Sequence, residues 1–357
     1  MYKYLLIFCG ILNLPFNAKT QVVTSVPFML VTPDARSAGM GDAAVAVDAD
    51  ANASGSNFSK MAFLKPKYGV SVSYIPWLNK VANDIDLAYL SAFHKLPNNY
   101  TAGIAIKYFK LGDVDLRDEY QQSMGVISPN EFALEASLAK SFGHEFSLGS
   151  TLKYIQSNVS ASMGSSSVEI TPGRTIALDV SAFYQHELNM TAPAKLSFGL
   201  NISNLGPKLR YGNSDYAYFL PANLRLGSAF TISPGNHSRL TLALDFNKMM
   251  VPYSQTGADL SVPASIFKSF SDAPEGSAEL QEVEAGMGAE YVYADCFALR
   301  SGYHYQDAAI GDNRYFTIGT GLKYGMFNID LSYLTGTSGP NALANTVRFT
   351  LGLYKKL

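Results

Sequence analysis

The chain carries little charge for its length. Asp, Glu, Lys and Arg make up 16% of its 357 residues, against roughly 25% in an ordinary soluble domain. The net charge is −2, so no basic surface points to nucleic acid. Cysteine is almost missing. Cys9 lies in an N-terminal apolar run behind the bulky Phe8, a poor context for lipid anchoring, and Cys296 is alone in the remainder. One thiol forms no internal disulfide and no Cys/His spacing suits zinc, so neither a metal nor a cofactor is expected. Beyond residue 20 no stretch reaches the ~18 apolar residues of a transmembrane helix.

Catalytic patterns are missing too. His94, His144, His186, His237 and His304 are scattered and read as isolated surface side chains. There is no Gly-x-Ser-x-Gly elbow. Gly39-Met40-Gly41 follows no strand and opens no βαβ unit, so a nucleotide site is not supported. The expectation is a protein that is not an enzyme.

What is abundant is apolar and aromatic side chains, 47% and 12% of the chain, with 29 glycines. Without a spanning helix, that hydrophobicity has to be spread over strands. The first residues, Met-Tyr-Lys followed by an apolar stretch to Phe16 and then Asn17-Ala18-Lys19-Thr20, read as a secretory signal peptide over residues 1–20.

From residue 69 to residue 357 the chain breaks into segments of about ten residues with period-two alternation, the signature of transmembrane barrel strands. Phe132, Leu134, Ala136 and Leu138 oppose Glu135, Ser137 and Ala139. Leu196, Phe198, Leu200 and Ile202 oppose Ser197, Gly199, Asn201 and Ser203. Leu240, Leu242, Leu244 and Phe246 oppose Thr241, Ala243, Asp245 and Asn247, and Val347, Phe349, Leu351 and Leu353 oppose Arg348, Thr350 and Gly352. Other segments start near residues 69, 84, 101, 146, 174, 222, 283, 296, 314 and 327, giving about 14 strands.

Connection lengths separate a barrel from a soluble sandwich. Short turns at Asn98-Asn99, Gly143-His144-Glu145, Ala192-Pro193-Ala194, Pro234-Gly235-Asn236, Ala294-Asp295 and Gly325-Met326 alternate with long loops at 111–130, 157–173, 205–221, 249–282, 306–313 and 335–344. Short periplasmic turns facing long extracellular loops are the rule for antiparallel outer-membrane barrels, and the rule places both termini in the periplasm. Lipid cannot satisfy backbone polar groups, so a closed sheet has to present its apolar face outward. Tyr74, Tyr89, Tyr154, Tyr184, Tyr291, Tyr293, Tyr303, Tyr305, Tyr324 and Tyr333 fall near strand ends, the place of an aromatic girdle.

The inward faces should then carry Lys107, Glu135, Lys153, Asp179, Arg225, Asp245, Glu284, Glu290, Arg300, Lys323, Asp330 and Arg348. Charges in a lumen need partners, so they are expected to pair with one another and with a plug. Their mixed signs argue against an ion-selective channel. Residues 21–68 do not alternate; Gly39, Gly41, Gly55 and the Ala-Val-Ala-Val run at 44–47 favour an ordered N-terminal plug over a solvated tail. The loop at 249–282 is long enough to be functional. Its Ile266, Phe267 and Phe270, at helical spacing, need a surface to dock on, either the barrel's own mouth or another protein.

The segment Arg36-Ser37-Ala38-Gly39-Met40-Gly41-Asp42-Ala43 resembles the opening of the hatch in FadL-like barrels, the long-chain fatty-acid transporter superfamily. More specifically, the chain resembles the PorV family of the type IX secretion system of Bacteroidetes. This likeness is carried by Ile266-Phe267-Lys268-Ser269-Phe270-Ser271-Asp272-Ala273-Pro274, Phe297 to Tyr303, Arg314 to Gly319, and Asn341 to Phe349. Ser56-Asn57-Phe58-Ser59-Lys60 departs from the superfamily's Trp-Asn-Pro-Ala-like run, and Glu275-Gly276-Ser277 replaces a more glycine-rich turn.

The resemblance implies a 14-stranded barrel with an N-terminal plug. It also implies a shuttle that takes cargo from a SprA/Sov-type translocon barrel by its C-terminal secretion domain and delivers it to a PorU-type sortase. On that footing Ile266, Phe267, Lys268, Phe270, Asp272 and Pro274 are the expected contact residues for cargo or translocon, Arg36, Gly39, Gly41 and Asp42 belong to the plug, and outer-membrane lipid surrounds the wall. The alternative is a FadL-like transporter of hydrophobic small molecules, which needs a kinked strand and an apolar lumen. Pro76 is the kink candidate, because proline removes a ladder donor.

Overall fold

A computed structural model describes residues 24–77, 84–117, 120–159, 161–163, 168–212, 215–235, 237–252, 260–272, 278–308, 310–336 and 345–355. The expected signal peptide, Pro274 and residues 341–344 lie outside them.

In chain order the strands are Tyr68–Pro76 (β1), Ile85–Lys95 (β2), Tyr100–Leu111 (β3), Val114–Arg117 (β4), Ser123–Ile127 (β5), Asn130–Phe142 (β6) and Phe146–Asn158 (β7). Then come Ala161–Met163 (β8), Val168–Ile170 (β9), Gly173–Leu188 (β10), Ala194–Leu205 (β11), Leu209–Arg210 (β12), Ala217–Tyr218 (β13) and Asn223–Gly235 (β14). The last are Ser238–Met249 (β15), Val283–Tyr293 (β16), Phe297–Tyr305 (β17), Tyr315–Tyr324 (β18), Phe327–Gly336 (β19) and Thr346–Lys355 (β20). Fourteen of them, β1-β2-β3-β6-β7-β10-β11-β14-β15-β16-β17-β18-β19-β20, close into one antiparallel barrel. The seam runs from Tyr68↔Lys355 to Tyr74↔Phe349. Closure leaves no unpaired edge for lipid to meet.

Alternation decides which way each side chain points. Leu134, Leu138, Phe198, Leu242, Phe246, Phe349 and Leu351 are exposed on the outer wall, while Glu135, Ser137, Ser197, Asn201, Asp245, Arg348 and Thr350 are buried inside. The short turns take the hairpin chemistry that two-residue connections require. Asn98-Asn99 and Ala294-Asp295 both place two successive residues at positive φ, the type I′ geometry that matches strand twist.

The long connections have structure of their own. β4 pairs with β5, β8 with β9 and β12 with β13 as three small hairpins above one rim. The loop after β15 carries two short helices, Val262–Lys268 (α2) and Ala278–Gln281 (α3), numbered after α1 at Ala35–Ala38.

Residues 24–67 run through the lumen. Ser25 N donates to Phe219 O at 2.9 Å, among the long loops. At the other end Lys67 N donates to Lys355 O at 3.1 Å, at the short-turn rim. The expectation of two termini on one side therefore needs correction for the described chain. Residue 25 sits at the long-loop rim and residue 355 at the opposite one, because the segment crosses the whole lumen before entering β1.

Three further expectations are corrected. Tyr89 is no girdle residue: it is 1% exposed and packs inside with Leu87 and Phe28. A lumen filled by protein accepts apolar side chains as readily as polar ones. His304 is not a surface histidine either, since it is 6% exposed and stacks on Tyr315 with ring centroids 4.8 Å apart. Pro76 closes β1 at its end, opposite Asp86, so it kinks no strand interior.

Candidate functional site

Two regions hold the residues singled out by sequence: the lumen, where the N-terminal segment meets the wall, and the helical loop above the rim.

In the lumen the expected ion pairing is present. Arg36 follows Asp34, which caps α1 by accepting from Ser37 N at 2.8 Å. From there Arg36 forks onto Glu290 of β16, with Nη2 2.8 Å from Oε1, and also reaches Asp50 at 3.1 Å. Arg300 of β17 shares Glu290 Oε2 at 2.7 Å and bridges to Asp330 of β19 at 2.7 Å. Lys153 pairs with Asp179 at 2.6 Å. Asp245 accepts from Ala44 N and Val45 N at 2.7 and 2.8 Å. Lys107 donates to the carbonyls of Phe28, Met29 and Val31, and Arg348 to Thr32 O at 2.7 Å. Buried charges persist only when paired or hydrogen-bonded in this way. Lys323 differs, being exposed at the end of β18.

Glycines allow backbone to touch backbone. Gly39 and Gly41 lie directly on β16–β18, and a Cβ on Gly302 would fall 2.2 Å from Gly41 N. Gly41 itself has φ +66°, a conformation glycine adopts without strain. Asp42 accepts from Tyr315 OH at 2.5 Å and lies 3.7 Å from Arg348. The departing stretch at 56–60 is an anchor in its own right. Asn57 caps the 3₁₀ helix Phe58–Phe63, and its amide donates to Val45 O and Ala182 O at 3.1 and 3.0 Å. Lys60 donates to Ala44 O.

The loop splits the residues expected to act together. α2 begins after Ser261 with Pro263 in its first turn, where the missing N–H costs nothing. Val262, Pro263, Ile266 and Phe267 line an apolar groove with Ile202, Leu205 and Met250 at the top of the wall. Ile266 is half-buried beside this groove at the barrel's own mouth. Phe267 is 79% exposed and Phe270 47%, while Lys268 also faces solvent. Lys248 Nζ lies 5.7 Å from the Phe270 ring and binds Glu279 at 3.1 Å and Glu282 at 2.5 Å, tying the loop's foot to β15. Asp272 is half-buried at the edge of this acidic group. No sequence signal distinguished Ile266 from Phe267, because both fit one apolar face until the wall fixes the helix's rotation.

A closed fourteen-stranded antiparallel barrel with an apolar outer wall and a lumen occupied by its own N-terminal segment has the architecture of an outer-membrane β-barrel. Solved barrels share the fold at low identity. The Ralstonia pickettii toluene transporter TbuX matches with TM-score 0.55 and 13% identity over 92% of this chain and 100% of that one. The Pseudomonas putida toluene transporter TodX matches with TM-score 0.51 and 12% identity over 93% and 98%. The CymD monoaromatic hydrocarbon channel gives 0.54 and 13% over 92% and 98%.

The sequence carries the finer assignment. Residues 15–256, more than half the chain, match the family model described as type IX secretion system protein PorV, and the chain belongs to that family. It is therefore an outer-membrane component of type IX secretion. No curated protein matches it by sequence.

Proposed function

We propose that this barrel binds the C-terminal secretion domain of exported cargo at a SprA/Sov-type translocon barrel and carries it to a PorU-type sortase, itself catalysing nothing. In this reading residues 1–20 are a cleaved signal, 21–68 a fixed hatch and 69–357 the membrane barrel. The long loops face outward and the short turns face the periplasm. The observation that carries it is two exposed aromatics, Phe267 on α2 and Phe270 in the turn just past its end, held beside an apolar groove at the rim. Exposed aromatics on a supported element are the usual anchors of protein interfaces. Ile266 serves as the support, and Lys268, Asp272 and Pro274 complete the contact strip.

The lumen supports conduction poorly. The ion pairs of Arg36, Glu290 and Arg300 tie the N-terminal segment to the wall inside it, and the transporter alternative would need an apolar path where charges stand. Deleting residues 265–274 tests the proposal: cargo capture should be lost while the barrel stays folded. Cells that still export and anchor cargo normally after the deletion would refute it. Micromolar uptake of fatty acid or toluene into the lumen of the purified protein would favour the transporter instead.

A further inference from the structure

The apolar groove beside α2 lies on the outside of the barrel and not in its lumen. On β11 the outward series that includes Phe198 reaches Ile202, whose partner Val180 on β10 is 44% exposed on the outer wall. Leu205 falls opposite Leu178, which is also exposed there. The groove of about 540 Å³ that runs from these residues to Val262 and Ile266 is therefore a continuation of the lipid-facing surface, flanked by the loop. Every side chain lining it is apolar. A peptide laid there would find no side-chain partner for its backbone polar groups, whereas a hydrocarbon chain needs none.

The rim beside the groove is basic. After Leu205 the chain continues through Gly206 and Pro207 along β10. A Cβ on Gly206 would fall 2.2 Å from Ile176 O, and Thr175 Oγ1 donates to Pro207 O at 3.3 Å. One step further up, Gly173 bridges to Tyr211 in antiparallel register, which sets Arg174 beside Arg210. Both arginines are exposed and take the outward face, since their neighbours Gly173 and Leu209 are buried on the inner one. Like charges directly opposite each other on paired strands are destabilising. Arg174 Nε donates to Gln156 Oε1 at 3.2 Å, and among the described residues neither guanidinium has a carboxylate partner. Arg174 stands two residues from Ile176, which is 57% exposed on the outer wall. A strand advances about 3.3 Å per residue, so the arginine pair marks the depth at which the apolar wall gives way to headgroups.

We propose that this region binds a phosphorylated membrane lipid of the leaflet at the long-loop rim, with one acyl chain in the groove and the phosphate between Arg174 and Arg210. Guanidinium groups match phosphate oxygens by paired hydrogen bonds, and an anion between the two arginines replaces their repulsion by attraction. The acyl chain takes water's place in an apolar groove and supports α2 from the side of the wall. The site faces the membrane, and lipid retention is measured without cargo, so the proposal stands or falls apart from cargo capture by the loop.

The test is native mass spectrometry of the full-length protein in detergent, titrated with dioleoyl phosphatidic acid, dioleoylglycerol and the short-chain dihexanoyl phosphatidic acid. One dioleoyl phosphatidic acid should be retained saturably, at least tenfold more tightly than either of the others. Arg174→Gln and Arg210→Gln, both at exposed positions, should each remove most of the preference for the phosphate. Ile202→Ser should remove most of the preference for the long chain. Equal retention of phosphatidic acid and dioleoylglycerol, or undiminished retention by both arginine variants, would overturn the proposal. So would release of the bound lipid by millimolar inorganic phosphate, the behaviour of a site for free anions.

Discussion

Arg36 of the N-terminal segment and Glu290 of β16 face each other as a two-pronged ion pair, Nε to Oε2 at 2.9 Å and Nη2 to Oε1 at 2.8 Å. Arg300 shares the same carboxylate at 2.7 Å. Losing the carboxylate takes a partner from two buried guanidinium groups at once, leaving Arg36 only Asp50 and Arg300 only Asp330, whereas losing Arg36 leaves Glu290 still paired with Arg300. Breaking a buried pair from one side costs about 3–5 kcal/mol. Glu290→Leu is therefore expected to lower unfolding stability in urea by about that amount, and Arg36→Met by clearly less. Equal losses would contradict this anchor.

Gly302 predicts a second asymmetry. A side chain there meets the backbone of Met40 and Gly41 at 2.2 Å, while Gly235 has nothing within 4 Å of its would-be Cβ. Gly302→Val should push the N-terminal segment off the wall and expose it to limited proteolysis. Gly235→Ala should leave the cleavage pattern unchanged.

Lys107 gathers three carbonyls of one short turn, those of Phe28, Met29 and Val31. Lys107→Met removes all three bonds and is expected to raise amide exchange over residues 27–32, measured by mass spectrometry, with the strands unaffected. Unchanged exchange there would show that the stacking of Phe28 on Phe109, centroids 6.2 Å apart, suffices alone.

Much of the barrel was legible because lipid imposes a strict two-residue period and because loop lengths alternate. The faces of β6, β11, β15 and β20 follow directly. The lumen was harder to read. Tyr89 and His304 are placed inside by neighbours far away in sequence, and no local pattern encodes the path of residues 24–67. The three hairpins above the rim carry only two to five residues per strand, too short for a period to register. In the loop, helical spacing marked Ile266, Phe267 and Phe270 together, and only the packing of the loop on the rim leaves Ile266 half-buried and the two aromatics exposed.

That separation yields a further prediction. Phe267 packs on little of its own chain, so Phe267→Ser should change barrel stability by less than about 0.5 kcal/mol. Ile266→Ser removes a side chain from the groove and should loosen α2, read as faster amide exchange over residues 262–268. The first variant should reduce cargo capture without that exchange signature.

The central claim, that the exposed aromatic face of α2 meets a secretion partner, is tested most directly by photo-crosslinking in living cells from position 267, with position 324 as the control. Tyr324 is 81% exposed at the opposite rim. The account predicts cross-links from 267 to cargo C-terminal domains or to a much larger barrel, and none of these from 324. Cross-links to those partners from 324 with none from 267 would contradict it.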